Sequence, residues 1–125
     1  MSSEGYKRRW QWLAVLAWAL VLLYVSTVPS GKLPSIPLWA QLASPDKWVH
    51  ALVYGVFAVL LFLLLHRRSI YAVWWAIGLS GFYGTLMEFL QAFMARGRSF
   101  EVADMLANWL GALLAVLLVR YFTKS

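Results

Sequence analysis

The chain has 125 residues and only five acidic ones. Four of these, Asp46, Glu88, Glu101 and Asp104, fall at or just inside one set of edges of otherwise apolar segments. Other polar residues keep helical register with them. Asp46, His50 and Tyr54 follow one another at four-residue steps, with Lys47 beside them. Ser80, Gly84 and Glu88 do the same and Gln91 continues the line, while Asp104, Asn108 and Gly111 form a third set. Residues three and four apart share one face of a helix, so each set is a stripe. Carboxylates gathered with an imidazole are the ingredients of general acid–base catalysis, and His50, Glu88 and Asp104 are its candidates here. Cations beside amides and a phenol suit an anionic headgroup. Asp46, Lys47, Tyr54, Gln91, Arg96, Arg98 and Asn108 are therefore candidate ligand contacts, with arginine fitted to bidentate phosphate binding. No nucleophile of the usual kind stands out, since Ser99 reads as a helix cap and there is no Cys. One His with two acids, lacking a helix-borne pair such as H-x-x-x-H, is a weak basis for a metal site. Neither a metal nor a cofactor is expected.

The elements that must position these stripes follow from composition. Hydrophobic residues make up 62% and charged residues 13%, against roughly 25% charged in soluble domains. Mean hydropathy is +0.69. A chain this short has too little interior to hide so much apolar surface, so the surplus must face lipid. A bilayer core takes about 20 apolar residues per helix. Four stretches qualify or nearly so, at residues 10–28, 48–65, 70–95 and 102–121. The expected fold is all-α, a polytopic membrane protein with a four-transmembrane-helix bundle forming one domain over residues 1–125. Ser44, Pro45 and Asp46 open the second span as a cap, a first-turn proline and an acid at the positive end of the helix dipole. Only residues 66–69 separate spans two and three, which predicts a tight antiparallel hairpin. The stretch 29–46 holds all four prolines and is the one substantial loop. Internal repeats and low-complexity tracts are absent from the sequence.

The net charge of +6 and pI near 10 do not point to nucleic acid, because the basic residues sit in small groups between apolar runs. Lys7, Arg8, Arg9, Arg67, Arg68, Arg120 and Lys124 fall on one side, and Lys32, Lys47, Arg96 and Arg98 on the other. The positive-inside rule then places both termini and the hairpin in the cytoplasm. Lys7, Arg8 and Arg9 precede an apolar run longer than a signal-peptide core of roughly 7–15 residues, and no small-residue cleavage site follows. A retained first span is expected.

In this arrangement Glu88 lies about 10 Å inside the outer end of its span. An ionisable group at that depth costs several kcal/mol unless it faces protein, water or a partner, which makes it a candidate functional group. Small residues mark the faces where membrane helices approach closely. Ala51, Gly55, Gly84, Gly111 and Ala115 share faces with the polar stripes, so the stripes should converge within the bundle near its outer mouth. Span one has no such stripe and belongs at the periphery. Plainer readings stand beside these. Asp46 and His50 can be a helix-entry pair, Gln91 and Asn108 interhelical hydrogen bonds, and Arg96 and Arg98 contacts to lipid phosphates. The glycines of span three read as packing residues, and most Trp and Tyr as interfacial belts.

Taken together, Asp46-Lys47-x-x-His50-x-x-x-Tyr54, Gly84-x-x-x-Glu88-x-x-Gln91, Gly97-Arg98-Ser99-Phe100 and Asp104-x-x-x-Asn108-x-x-Gly111 resemble the VanZ-like family. These are small bacterial membrane proteins named after a teicoplanin-resistance determinant. The resemblance runs over residues 25–118 and rests on the ordered set, since no one motif is specific. It implies an integral protein of the bacterial inner membrane associated with the cell envelope. It lends no settled mechanism, and the namesake's resistance phenotype is not carried over. Family members often have a second acid shortly before the motif aspartate; here Glu101 stands three residues before Asp104 and position 103 is Ala, leaving the role of Glu101 open.

Three functions are compatible with these residues. The first is binding of membrane lipids, lipid-linked envelope intermediates or a lipoglycopeptide, by Lys47, His50, Arg96 and Arg98 at an outer mouth above Glu88 and Asp104. The second is a hydrolase or headgroup transferase at the outer leaflet using His50, Glu88 and Asp104, with Arg98 stabilising a transferring phosphoryl group. The third is transport or scaffolding. Four short spans leave little room for a transport path unless copies associate as a homo-oligomer.

Overall fold

A computed structural model describes residues 3–27, 45–67, 70–94 and 102–123, with the side chains of 25–27 and 45–46 excluded. The described chain is all-α. Its four helices are α1 (Ser3–Thr27), α2 (Pro45–Leu65), α3 (Ala72–Met94) and α4 (Val102–Thr123). Helix α1 starts well before the apolar stretch that announced it. Glu4, Lys7, Arg8 and Arg9 are good helix formers, so the helix continues past the point where the chain stops being apolar. Pro45 opens α2, where its missing N–H costs nothing and its fixed φ suits the first turn. Two helical segments, Lys47–Leu65 and Val102–Thr123, are long and apolar enough to cross a membrane. Over the same length, α1 is diluted by its charged first turns and α3 by Ser80, Glu88, Gln91 and its glycines.

Helices α2, α3 and α4 pack mutually, and α1 lies against α2 and α3 without reaching α4. Contacts along α2 and α4 rise together in number: Lys47 meets Asp104, His50 meets Asn108, and Gly55 meets Ala115. These two helices are therefore parallel. Between α3 and α4 the numbers run oppositely, with Gly84 beside Asn108, which makes that pair antiparallel. Exposed Glu4 pairs with Arg67 at 3.2 Å, while Arg67 and Arg120 border one groove. The start of α1, the α2–α3 turn and the end of α4 thus share one end of the bundle.

The seam between α2 and α4 is built on missing side chains. Gly111 lies against the backbone of Ala51, where a Cβ would overlap the carbonyl. Across from it, a Cβ on Gly55 would sit 3.1 Å from both Ala115 Cβ and the Gly111 carbonyl oxygen. Close approach of this kind is how membrane helices gain packing when lipid offers no hydrophobic drive between them. Side-chain hydrogen bonds add to it. Ser80 Oγ donates to the Tyr54 carbonyl at 2.9 Å. Trp18 Nε1 donates to the Val53 carbonyl at 2.9 Å and the Tyr83 hydroxyl to the Ala19 carbonyl at 2.5 Å, fastening α1 to its two neighbours.

The distribution of side chains is inverted relative to a soluble protein. Glu88 and Asn108 are each 1% exposed, whereas Trp48 is 68% and Phe93 88% exposed. Leu110, Leu114, Leu118 and Phe122 face outward along α4, and Trp74, Trp75, Phe82 and Phe89 along α3. An apolar sheath of this extent marks an interaction or membrane surface. Inside it, Phe57, Leu61, Phe62, Ala76, Ile77 and Val116 fill one end of the core. The other end is polar.

Candidate functional site

The polar end lies where the first turns of α2 and α4 meet the last turns of α3. Both helix N-termini carry partial positive charge, so this end of the bundle favours anions. Asp104 stands in the first turn of α4 and benefits from that field. Lys47 stands in the first turn of α2, where the same field opposes it. The Lys47 ammonium donates to Asp104 Oδ1, and this pair is buried, with side-chain exposures of 2% and 8%. Two charges so far from solvent hold each other in place, and neither could remain if the other were lost.

His50 lies one turn further along α2. Its Nδ1 is 3.3 Å from Asn108 Oδ1. A carbonyl oxygen only accepts, so Nδ1 carries the proton and donates. The other ring nitrogen, Nε2, lies 3.9 Å from Asp104 Oδ1. Glu88, from α3, completes the group: one ligand-capable atom each of His50, Glu88 and Asp104 all lie within 4.8 Å of one another. Gln91, one turn beyond Glu88, is 4% exposed, and Tyr54 is 2% exposed beneath His50. No buried side-chain nitrogen or oxygen among the described residues lacks a hydrogen-bond partner. His50, with 24% of its side chain accessible, is the open member of an otherwise closed set.

Close packing sets these distances. A Cβ on Gly84 would stand 2.8 Å from Asn108 Nδ2 and 3.1 Å from Tyr54 Cε1. Hydrogen at that position lets α3 bring Glu88 up to the α2–α4 pair. The glycine is a spacer whose consequence is polar.

Of the ten residues singled out by sequence, Lys47, His50, Tyr54, Glu88, Gln91, Asp104 and Asn108 belong to this one end of the bundle. Arg96 and Arg98 lie outside the described residues, as does the side chain of Asp46. Lys47 differs from its expected place at the rim: it is sealed in the interior with its charge committed to Asp104. His50, Glu88 and Asp104, grouped from sequence as acid–base candidates and as a weak basis for a metal site, come from three helices and meet here with ligand atoms within 4.8 Å of one another.

The chain matches the VanZ/LLP1 family over residues 10–123, a stretch that takes in α2, α3, α4 and α1 from Trp10 onward. It belongs to that family. No curated protein and no solved structure matches it. The family match reaches further toward the N-terminus than the motif residues do, so α1 is part of the VanZ/LLP1 domain although it carries none of the polar stripes.

Proposed function

We propose that this VanZ/LLP1 protein crosses the bacterial inner membrane four times, with both termini and the α2–α3 turn in the cytoplasm. On this reading its polar end opens to the outer leaflet and binds the headgroup of a phosphate-bearing lipid or lipid-linked envelope precursor. The observation that carries the proposal is the buried Lys47, His50, Glu88, Asp104 and Asn108 group inside an apolar sheath, reachable past His50. Charges and amides held in a membrane-facing bundle cost stability, and their retention is the mark of a ligand or reaction pathway. Acyl tails would stay in the bilayer while the headgroup enters between helices. Two helix N-termini add to the attraction for a phosphate, and Arg96 and Arg98 supply bidentate donors at the rim.

The topology is testable because the chain has no Cys. Single cysteines placed at Ser3 and at Lys32 should label from opposite sides of intact spheroplasts with an impermeant maleimide; labelling of both from one side would refute the four-span arrangement. For binding, native mass spectrometry of gently extracted protein should detect a co-purifying phosphate-bearing lipid. Arg98→Ala should reduce its occupancy more than Glu88→Gln. Equal retention in both variants would remove the headgroup reading.

A second reading is favoured by the proximity of His50, Glu88 and Asp104. In it the same group is an acid–base centre acting on the headgroup, with an acid and a base in reach of one reacting atom. Glu88→Gln keeps the shape and removes the proton chemistry. It should abolish turnover with lipid occupancy unchanged if the centre is catalytic.

A further inference from the structure

We propose that His50 Nε2 and the carboxylates of Glu88 and Asp104 form a site for one first-row divalent cation, of the Mn2+ or Zn2+ class. The sequence spacing argues against such a site; the tertiary arrangement argues for it. Two observations carry it. The first is convergence, with one nitrogen and two carboxylate donors from three helices within 4.8 Å of one another. Metal–ligand bonds of about 2.0–2.2 Å place neighbouring donors roughly 3.0–3.5 Å apart, so side-chain rotation, with the helices unmoved, closes the difference. Imidazole with two carboxylates is a mixed donor set suited to Zn2+ and Mn2+.

The second is the anchoring of the imidazole. Because Nδ1 is engaged with Asn108 Oδ1 at 3.3 Å, Nε2 is the nitrogen left to face Asp104 Oδ1, 3.9 Å away. Histidine ligands generally have their second nitrogen anchored by such an outer hydrogen bond, which fixes the ring's orientation and basicity. Asn108 fills that position here. Lys47 does the same for Asp104: it takes Oδ1, and a carboxylate has lone pairs enough to hold an ammonium and a metal together.

A divalent cation held by these three protein donors leaves coordination positions open for phosphate oxygens. The cation site stands on the protein's own donors; only its role in bridging to a headgroup rests on the function proposed above.

The test uses the purified full chain in lipid nanodiscs, stripped with chelator, then titrated with Mn2+ and followed by electron paramagnetic resonance. One Mn2+ per chain should bind, and Zn2+ should displace it. Glu88→Gln and His50→Gln should weaken binding at least a hundredfold. Asn108→Ala, which touches only the second nitrogen of His50, should weaken it about 10–100-fold. Thermal unfolding of the same samples confirms that the variants are folded; if Glu88→Gln does not fold, His50→Gln and Asn108→Ala decide. Absence of stoichiometric Mn2+ and Zn2+ binding, or binding unchanged in the folded variants, overturns the site. So does a nitrogen-15 spectrum showing both His50 nitrogens protonated at neutral pH with metal present. Metal bound with no effect on phospholipid occupancy sustains the site and sinks the bridging role. Phospholipid occupancy that is indifferent to chelator, in a protein binding no metal, overturns the site and leaves the headgroup reading standing.

Discussion

Asn108 and Val116 lie two turns apart on the same face of α4, at 1% and 0% exposure. The interior around Val116 is Ala58, Ala76, Ala112 and large apolar side chains, and that around Asn108 is Lys47, His50, Glu88 and Asp104. Both ends pack on the same pattern of small residues. They differ in what holds them together. Around Val116, shape alone decides, and a lost methylene costs its transfer energy and the cavity left behind. Around Asn108 charges and dipoles are paired, Lys47 with Asp104 and His50 with Asn108, so loss of one leaves the other buried and unanswered. An apolar filling would serve stability at both ends. On the function proposed above, the polar end is kept for what it binds.

Breaking the ion pair should give the largest effect. Asp104→Ala leaves the Lys47 ammonium buried without its partner and should cost about 3–5 kcal/mol, read as a lowered thermal midpoint in mild detergent. The paired replacement Lys47→Met with Asp104→Leu makes the polar end resemble its opposite. It should recover most of that loss while abolishing headgroup and cation binding. A double variant as unstable as Asp104→Ala would show that the pair is structural, and the contrast between the two ends would lose its functional meaning.

Next is the seam common to both ends. Gly111→Ala puts a methyl group into the Ala51 backbone and must spread α2 from α4. Overpacking of this kind costs about 1–3 kcal/mol. Because the seam sets the Lys47–Asp104 and His50–Asn108 distances, ligand occupancy should fall by more than the fraction unfolded explains. Occupancy that merely follows the folded fraction would uncouple seam from site. The smallest effect belongs to the apolar end. Ile77→Val removes one methylene from a buried position and should cost about 0.5–1.5 kcal/mol, with headgroup binding unaltered. Reduced binding in this variant would mean that the two ends communicate.

Much of this was legible in the residues. The apolar excess, the four helical segments, the stripes at three- and four-residue spacing and the peripheral place of α1 all follow from local periodicity and composition. Helix ends were less legible. The N-terminal extension of α1 through Lys7, Arg8 and Arg9 reflects helix propensity, whereas the apolar stretch reports only what lipid will accept. The burial of Lys47 was hidden because a first-turn lysine on a membrane helix ordinarily extends toward water or phosphate.

By itself the sequence determined which side chains share a face, since the α-helical repeat belongs to each segment alone. It therefore dictated that Lys47, His50 and Tyr54 travel together on α2, that Glu88 and Gln91 do so on α3, and that Asp104 and Asn108 do so on α4. Only the tertiary structure decided how these faces are rotated and at what depth they meet. That depends on backbones touching at Gly111 and Ala51 and on the space left by Gly84. Those contacts joined Lys47 to Asp104, turned Nδ1 of His50 to Asn108 and brought Glu88 beside them. Such pairings are set by the fit between helices, a property that no one helix carries in its own order of residues.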